Sequence, residues 1–273
     1  SYIPPAKYPV IHNAVLAACD ALDGVKNGVI EQPEHCHFDP KTIECKGADA
    51  PDCLTAPQVE AARKIYSGPI NPRTKQQIFP GLMPGSELRW GTQAGPRVFG
   101  PGADMFKYVI FDDPNWDYKT LNFDSDIAKA EKIENNIMNA TDPNLKPYFQ
   151  RGGKLLQYQG WADQQVSSGN SPKYYKSVVK KLGGPSKVRN SYRLFMVPGM
   201  GHCGGGEGTS TFDMLGVMEK WIQTKKAPDE IVASRMEDGK VVRTHPLCPY
   251  PQQAVYRGSG STDDAANFSC KAK

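Results

Sequence analysis

The chain has 273 residues, enough for a sizeable core in one large unit or two smaller ones. Charged residues make up 23% and the formal net charge is +4. Its basic clusters are no longer than pairs such as Lys180–Lys181 and Lys225–Lys226, which describes a solvated surface and gives no footprint for nucleic acid. No apolar run is long enough to cross a bilayer, and 26 glycines with 23 prolines favour a loop-rich fold.

Residues 1–11 are proline-rich and read as extended, and residues 12–19 read as a short apolar helix. The helix runs into a loop with oxygen side chains at Asp20, Asp23 and Asn27, separated by glycines. These can wrap a hard cation such as calcium, with the backbone carbonyls of Val25 and Val29 completing the shell. The spacing is not that of an EF-hand, and an Asx-and-glycine turn is the competing reading. His35, Cys36, His37, Cys45 and Cys53 invite a zinc reading. No Cys-x-x-Cys occurs among them, and paired disulfides explain the cysteines more simply, which leaves His35 and His37 on the surface. Thr55 and Gln58 form a capping-box start to a helix with Val59, Ala62, Ile65 and Tyr66 on one face, stopped by Gly68 and Pro69. Residues 69–125 are aromatic, glycine-rich and weakly periodic. A helix follows over 126–138, with Ile127, Ala130, Ile133 and Ile137 inward.

The densest signal begins at Lys154. Leu155 to Tyr158 reads as a strand ended by Gly160, with Asp163 in the loop beyond. Ser171 as N-cap and Pro172 at the first position open a helix whose apolar face is Tyr175, Val178, Val179 and Leu182, stopped by Gly183, Gly184 and Pro185. Leu194 to Val197 reads as a second, buried strand, followed by a glycine-dense loop carrying His202 and Cys203. A last helix, about 211–225, places Met214, Val217, Met218, Trp221 and Ile222 on one face. Residues 231–243 read as a hairpin with an Asp238-Gly239 turn. In a parallel sheet the Asp163 and His202 loops would lie at the carboxyl ends of their strands, on one edge. An Asp that orients a His there is the second half of a Ser-His-Asp relay, in the chain order of an α/β-hydrolase.

Seven cysteines stand at 19, 36, 45, 53, 203, 248 and 270. The simplest local pairing in an oxidising compartment is Cys19–Cys36, Cys45–Cys53 and Cys248–Cys270. Cys203 is left over, for an intermolecular bridge or a free thiol.

Gly160-Trp161-Ala162-Asp163, the run from Val197 to Gly206 around His202-Cys203, Ala227-Pro228-Asp229, and Arg243 to Pro251 resemble the carboxyl-terminal half of the tannase and feruloyl esterase family. These are secreted α/β-hydrolases that cleave esters of gallic or hydroxycinnamic acids. The resemblance implies Asp163 as orienting acid, His202 as general base, and Cys203 as half of a bridge reaching a cysteine beside the nucleophilic serine. It also implies the same three local disulfides and a structural calcium held by Asp20, Asp23 and Asn27 through side chains and by Val25 and Val29 through backbone oxygens. Asn27 stands where the family more often has Asp. The expected fold is α/β, the carboxyl-terminal part of an α/β-hydrolase core with a large irregular lid insertion. Residues 1–148 would be a lid domain with the calcium loop, and 149–273 the carboxyl-terminal part of the catalytic domain.

One departure is large. The family's Gly-Cys-Ser-x-Gly-Gly-type elbow is absent, as is any Gly-x-Ser-x-Gly, and Ser167, Ser168, Ser171, Ser259 and Ser261 sit in loop or capping settings. The expectation is therefore a serine carboxylic-ester hydrolase for small aromatic esters (feruloyl, other hydroxycinnamoyl or galloyl), secreted or periplasmic. Its serine would come from an amino-terminal half, disulfide-linked through Cys203; opening at Ser1 without a methionine or signal peptide fits a proteolytic cut. No nucleic-acid or membrane partner is expected. The alternative is a secreted, disulfide-stapled, calcium-dependent binding or structural fragment without catalysis. Asn139 and Asn267 lie in glycosylation acceptor patterns.

Overall fold

A computed structural model describes residues 2–135 and 137–272. The first 94 residues gather around their own apolar cluster. Helix α1 (Tyr8–Cys19) and helix α2 (Ala56–Ser67) contribute Ile11, Val15, Val59 and Ala62, packed with Ile3, Leu54, Leu82 and the fully buried Trp90. Both sides of the Thr55 capping box are made, as its spacing predicts. Disulfides Cys19–Cys36 and Cys45–Cys53 staple the loops between these helices.

Among the described residues, 95–150 hold short helical pieces and no strand. Phe106 and Phe111, at the two ends of a π-helical stretch (Met105–Phe111), both stack on Trp116 with centroids 5.3 Å away. Helix α3 (Ser125–Glu134) ends where Asn135 turns left-handed, four residues before the expected 138. Of the residues expected inward, Ile127 and Ala130 are half-buried, whereas Ile133 is 42% exposed and Ile137, beyond the helix end, 80% exposed, so periodicity alone misjudged the second half of that face.

The third region is built on two parallel strands, β1 (Leu155–Gly160) and β2 (Tyr192–Val197), joined by helix α4 (Asn170–Leu182). The register pairs Leu155 with Tyr192 and Gly160 with Val197, so the two strands end side by side. β2 is buried on both faces. Tyr192, Leu194 and Met196 pack toward Tyr175 and Val178 of α4, while Phe195 and Val197 pack toward Met200, Ile231 and Leu247. A strand sandwiched in this way needs the near-continuous apolar run that the sequence has. The α4 start differs from expectation: Gly169 is the N-cap, and Ser171 lies inside the helix, where its hydroxyl donates to Gln159 Oε1 and accepts from Gln157 Nε2.

Helix α5 (Met214–Thr224) is capped by the Asp213 carboxylate and rests Met214 and Val217 on the core, with Trp221 fully buried. Ile222, expected on that face, is 60% exposed. Strands β3 (Ile231–Glu237) and β4 (Lys240–Leu247) form the antiparallel hairpin, with Asp238 and Gly239 both at positive φ in the turn. Strands β5 (Gln253–Tyr256) and β6 (Phe268–Lys271) are tied by Cys248–Cys270. All three local disulfides therefore form as expected, and Cys203 is free and exposed. The tail is pinned to the first region through Glu31, which accepts from Ala254 N–H at 2.9 Å and lies 2.9 Å from His245 Nε2.

Candidate active site

The parallel ladder continues past the strand ends. Trp161 N–H donates to Val197 O at 2.9 Å and Ala162 N–H to Met200 O at 3.0 Å, which brings the two following loops together. Gly160 permits the approach: a Cβ there would sit 2.1 Å from Met200 O. Asp163, 4% exposed, receives the backbone N–H groups of Gln165 and Val166 on Oδ1, each at 2.9 Å, and Gln159 Nε2 on Oδ2 at 3.3 Å. Three donors thus converge on this buried carboxylate and fix its orientation. His202 places Nδ1 3.1 Å from Asp163 Oδ2 and 3.2 Å from Oδ1. An acceptor-only carboxylate fixes the hydrogen on Nδ1, so Nδ1–H donates to Asp163 and the Nε2 lone pair is left free. Nε2 has no hydrogen-bond partner among the described residues, and the side chain is one-third exposed.

The His202 loop is held by its own backbone. Gly201 N–H donates to Gly205 O at 3.0 Å, and His202 N–H to the buried Gln164 Oε1 at 3.3 Å. Cys203 takes a positive φ of 58°, and Gly204, Gly205 and Gly206 follow at positive φ. Such a path is costly for residues with a Cβ, which accounts for the glycine density. The sequence assigned no role to Gln159 or Gln164, although both flank the Gly160-Trp161-Ala162-Asp163 motif.

No described serine completes the pair. Ser167 Oγ donates to Gly81 O, Ser168 Oγ to Trp161 O at 2.9 Å, and Ser171 Oγ to Gln159. Ser261 Oγ accepts from Asp263 N–H at 3.1 Å, and Ser259 has no hydrogen bond to His202. An Asp–His pair without a nucleophile can accept and return a proton but cannot form an acyl intermediate.

The loop expected to hold calcium is closed by its own side chains. Asp20 accepts from Asn27 and Gly28 N–H at 3.3 and 3.0 Å, Asp23 from Val25 N–H at 2.8 Å, and Asn27 Oδ1 from Val29 N–H at 3.1 Å. Burial, with the nearby Glu31 and Asp20 carboxylates, raises Asp23 to about 6, against a backbone hydrogen bond from Val25 that lowers it. All-oxygen donors and crowded negative charge fit a hard cation. Among the described residues no three His, Cys, Asp or Glu side chains gather to hold a metal, so the third side-chain donor here would be the neutral Asn27. The zinc reading loses its thiols, since Cys36, Cys45 and Cys53 are all in disulfides; His35 and His37 are exposed. Of the glycosylation acceptors, Asn139 is exposed, whereas Asn267 Nδ2 donates to Ser261 O.

Fold and site together define an α/β protein that presents a carboxylate–imidazole pair at the ends of two neighbouring parallel strands. The family model for tannase and feruloyl esterase matches residues 1–271, and the chain belongs to that family. An uncharacterized esterase of Xanthomonas campestris is 37% identical over 98% of this chain and 55% of its own length. A probable feruloyl esterase B-2 of Aspergillus terreus is 33% identical over 99% of this chain and, again, 55% of its own. Among solved structures, feruloyl esterase B from Aspergillus oryzae superposes with a TM-score of 0.92 at 28% identity, covering 99% of this chain and 57% of that one. An esterase from the same organism gives 0.93 at 30% identity, with the same two coverages. The chain thus spans about half the length of the curated relatives it matches.

Proposed function

We propose that this chain is the carboxyl-terminal part of a serine carboxylic-ester hydrolase for aromatic esters of the feruloyl, hydroxycinnamoyl or galloyl type, and that the serine comes from a segment outside it. The observation that carries the reading is the Asp163–His202 pair, with Nδ1 committed to a buried carboxylate and Nε2 open. His202 Nε2 takes the proton of the incoming serine hydroxyl as its oxygen attacks the ester carbonyl. The imidazolium, steadied by Asp163, returns that proton to the leaving alcohol. Water then repeats the sequence and releases the acid. The oxyanion donors belong to the serine-bearing segment, normally with the N–H after the nucleophile. Cys203, exposed directly beside His202, is the anchor for a disulfide to that segment. Residues 1–148 act as the lid over the site.

The same reading places calcium at Asp20, Asp23 and Asn27, with Val25 and Val29 carbonyls. Its contribution there is to neutralise crowded carboxylates and fix the loop; no chemical step uses it. Three disulfides fit a secreted or periplasmic site of action. The non-catalytic binding fragment has no comparable support, because it gives the Asp163–His202 pair no task. Intact mass without and with reductant tests the assembly: a heavier species that splits into this chain and a serine-bearing partner is expected. In that assembly His202→Ala should abolish hydrolysis of methyl ferulate and methyl gallate without unfolding the protein. Surviving activity refutes the relay.

A further inference from the structure

One short helical segment touches both site loops from outside. Residues 87–94 run as a 3-10 turn, Glu87–Arg89, and a further helical turn, Gly91–Ala94. Residues 89 and 93 are four apart and share a face. Gln93 Nε2 donates to the main-chain oxygen of Gln165, two residues beyond Asp163. The Arg89 guanidinium lies against Gly201 and Gly205. A Cβ built on Gly201 would stand 3.3 Å from Nη1, and one built on Gly205 3.3 Å from Nη2. These two glycines close, through the Gly201 N–H to Gly205 O bond, the five-residue ring that contains His202. The space left by their absent side chains is where the guanidinium rests.

The segment is itself immobilised. Glu87 and Trp90 are fully buried, and Trp90 Nε1 donates to Ser86 Oγ at 3.0 Å. Glu87 accepts from Tyr66 OH and Gly85 N–H, each at 2.8 Å, and its other oxygen is 2.8 Å from His12 Nδ1. The ring it covers has the opposite character. Cys203, Gly204 and Gly205 all have positive φ, and no buried side chain pins 203–206 to the core. The Arg89 guanidinium has no ion pair or hydrogen bond among the described residues, so no salt bridge elsewhere explains its placement.

We propose that Arg89 and Gln93 are positioning residues, a clamp that holds the His202 ring and the Asp163 loop in mutual register. The clamp fixes where Nδ1 meets the carboxylate before any nucleophile or substrate arrives. Its consequence for catalysis rests on the esterase reading; the clamp itself does not need it.

The test is hydrogen exchange of the His202 Nδ1–H, read by NMR on the 273-residue chain. Arg89→Ala removes the guanidinium, and Gln93→Glu keeps the shape while removing the donor. Each is expected to speed that exchange by about tenfold, with amide protection in β2 and the thermal midpoint unchanged, because only a local opening is eased. Arg89→Lys should behave as Arg89→Ala, since a compact ammonium cannot cover two glycines at once. Exchange at the wild-type rate in either Arg89→Ala or Gln93→Glu overturns the clamp, as does a uniform loss of protection through β1 and β2. Wild-type exchange in Arg89→Lys overturns the requirement for the guanidinium's breadth. In the assembled hydrolase Arg89→Ala and Gln93→Glu lower kcat at unchanged KM. An assembly inactive even as wild type refutes the esterase reading and leaves the exchange result to judge the clamp.

Discussion

Gly160→Ala is the sharpest way to perturb the site without touching a site side chain. The new Cβ would lie 2.1 Å from Met200 O and 2.7 Å from Gly201 O, and both are backbone atoms. Since Cβ contacts below 3.0 Å essentially never occur, Met200 O must retreat by about 0.9 Å. That shift strains the Ala162 N–H to Met200 O bond, now 3.0 Å, and carries the start of the His202 loop away from Asp163. Overpacking costs about 1–3 kcal/mol and a lost hydrogen bond about 1 kcal/mol, so unfolding free energy should fall by about 2–4 kcal/mol. If the pair performs the proton transfers, a displacement of this size lowers kcat by about 100-fold in the assembled hydrolase. Urea denaturation gives the first number, and initial rates on methyl ferulate give the second. Gly102→Ala is the control, as its Cβ meets only Phe99 Cδ1, at 3.8 Å. A Gly160→Ala protein with the wild-type urea midpoint and an unaltered His202 imidazole signal would refute the close-approach reasoning.

Glu87→Ala should cost about 3–5 kcal/mol, because it strips His12, Tyr66 OH and Gly85 N–H of one shared buried acceptor; a loss below 1 kcal/mol in urea would contradict it. Asp23 makes a pH-dependent prediction. Its carboxyl rises from 3.8 to about 6 in the folded state, so between those values the folded chain binds more protons than the unfolded one. Metal-free stability should therefore fall as pH rises from about 4 to about 6, by at most about 3 kcal/mol. Calcium added at pH 7 should raise the thermal midpoint, and Asp23→Asn should abolish both the pH slope and the calcium response. A calcium response that survives in Asp23→Asn would move the cation elsewhere.

The strand–loop–helix–strand–loop unit was legible because each element carries its own local signal. β2 is an apolar run, α4 has Pro172 inside its start and Gly183 at its stop, and the β3–β4 turn has Asp238-Gly239. Asp163 and His202 were legible for the same reason: both follow strands, and parallel pairing sends both to one edge. The disulfides were readable from proximity in sequence, with separations of 8, 17 and 22. These properties depend on neighbours a few positions away or on chain order, so the sequence contains them outright.

What the sequence could not settle depended on groups far apart along it. Nothing local to Ile133, Ile137 or Ile222 tells whether another surface covers it, and all three are exposed. Ser171 has the chemistry of a cap, yet two glutamines of β1 claim its hydroxyl within the helix. Glu31 and His245 are 214 positions apart, and Arg89 meets Gly201 across more than a hundred residues, with no motif marking either meeting. Burial and long-range pairing arise from the summed packing of the whole chain, which no window of residues records. The tertiary structure alone therefore decided which carboxylate is crowded, which imidazole nitrogen is open, and which distant side chains rest on the loop that carries it.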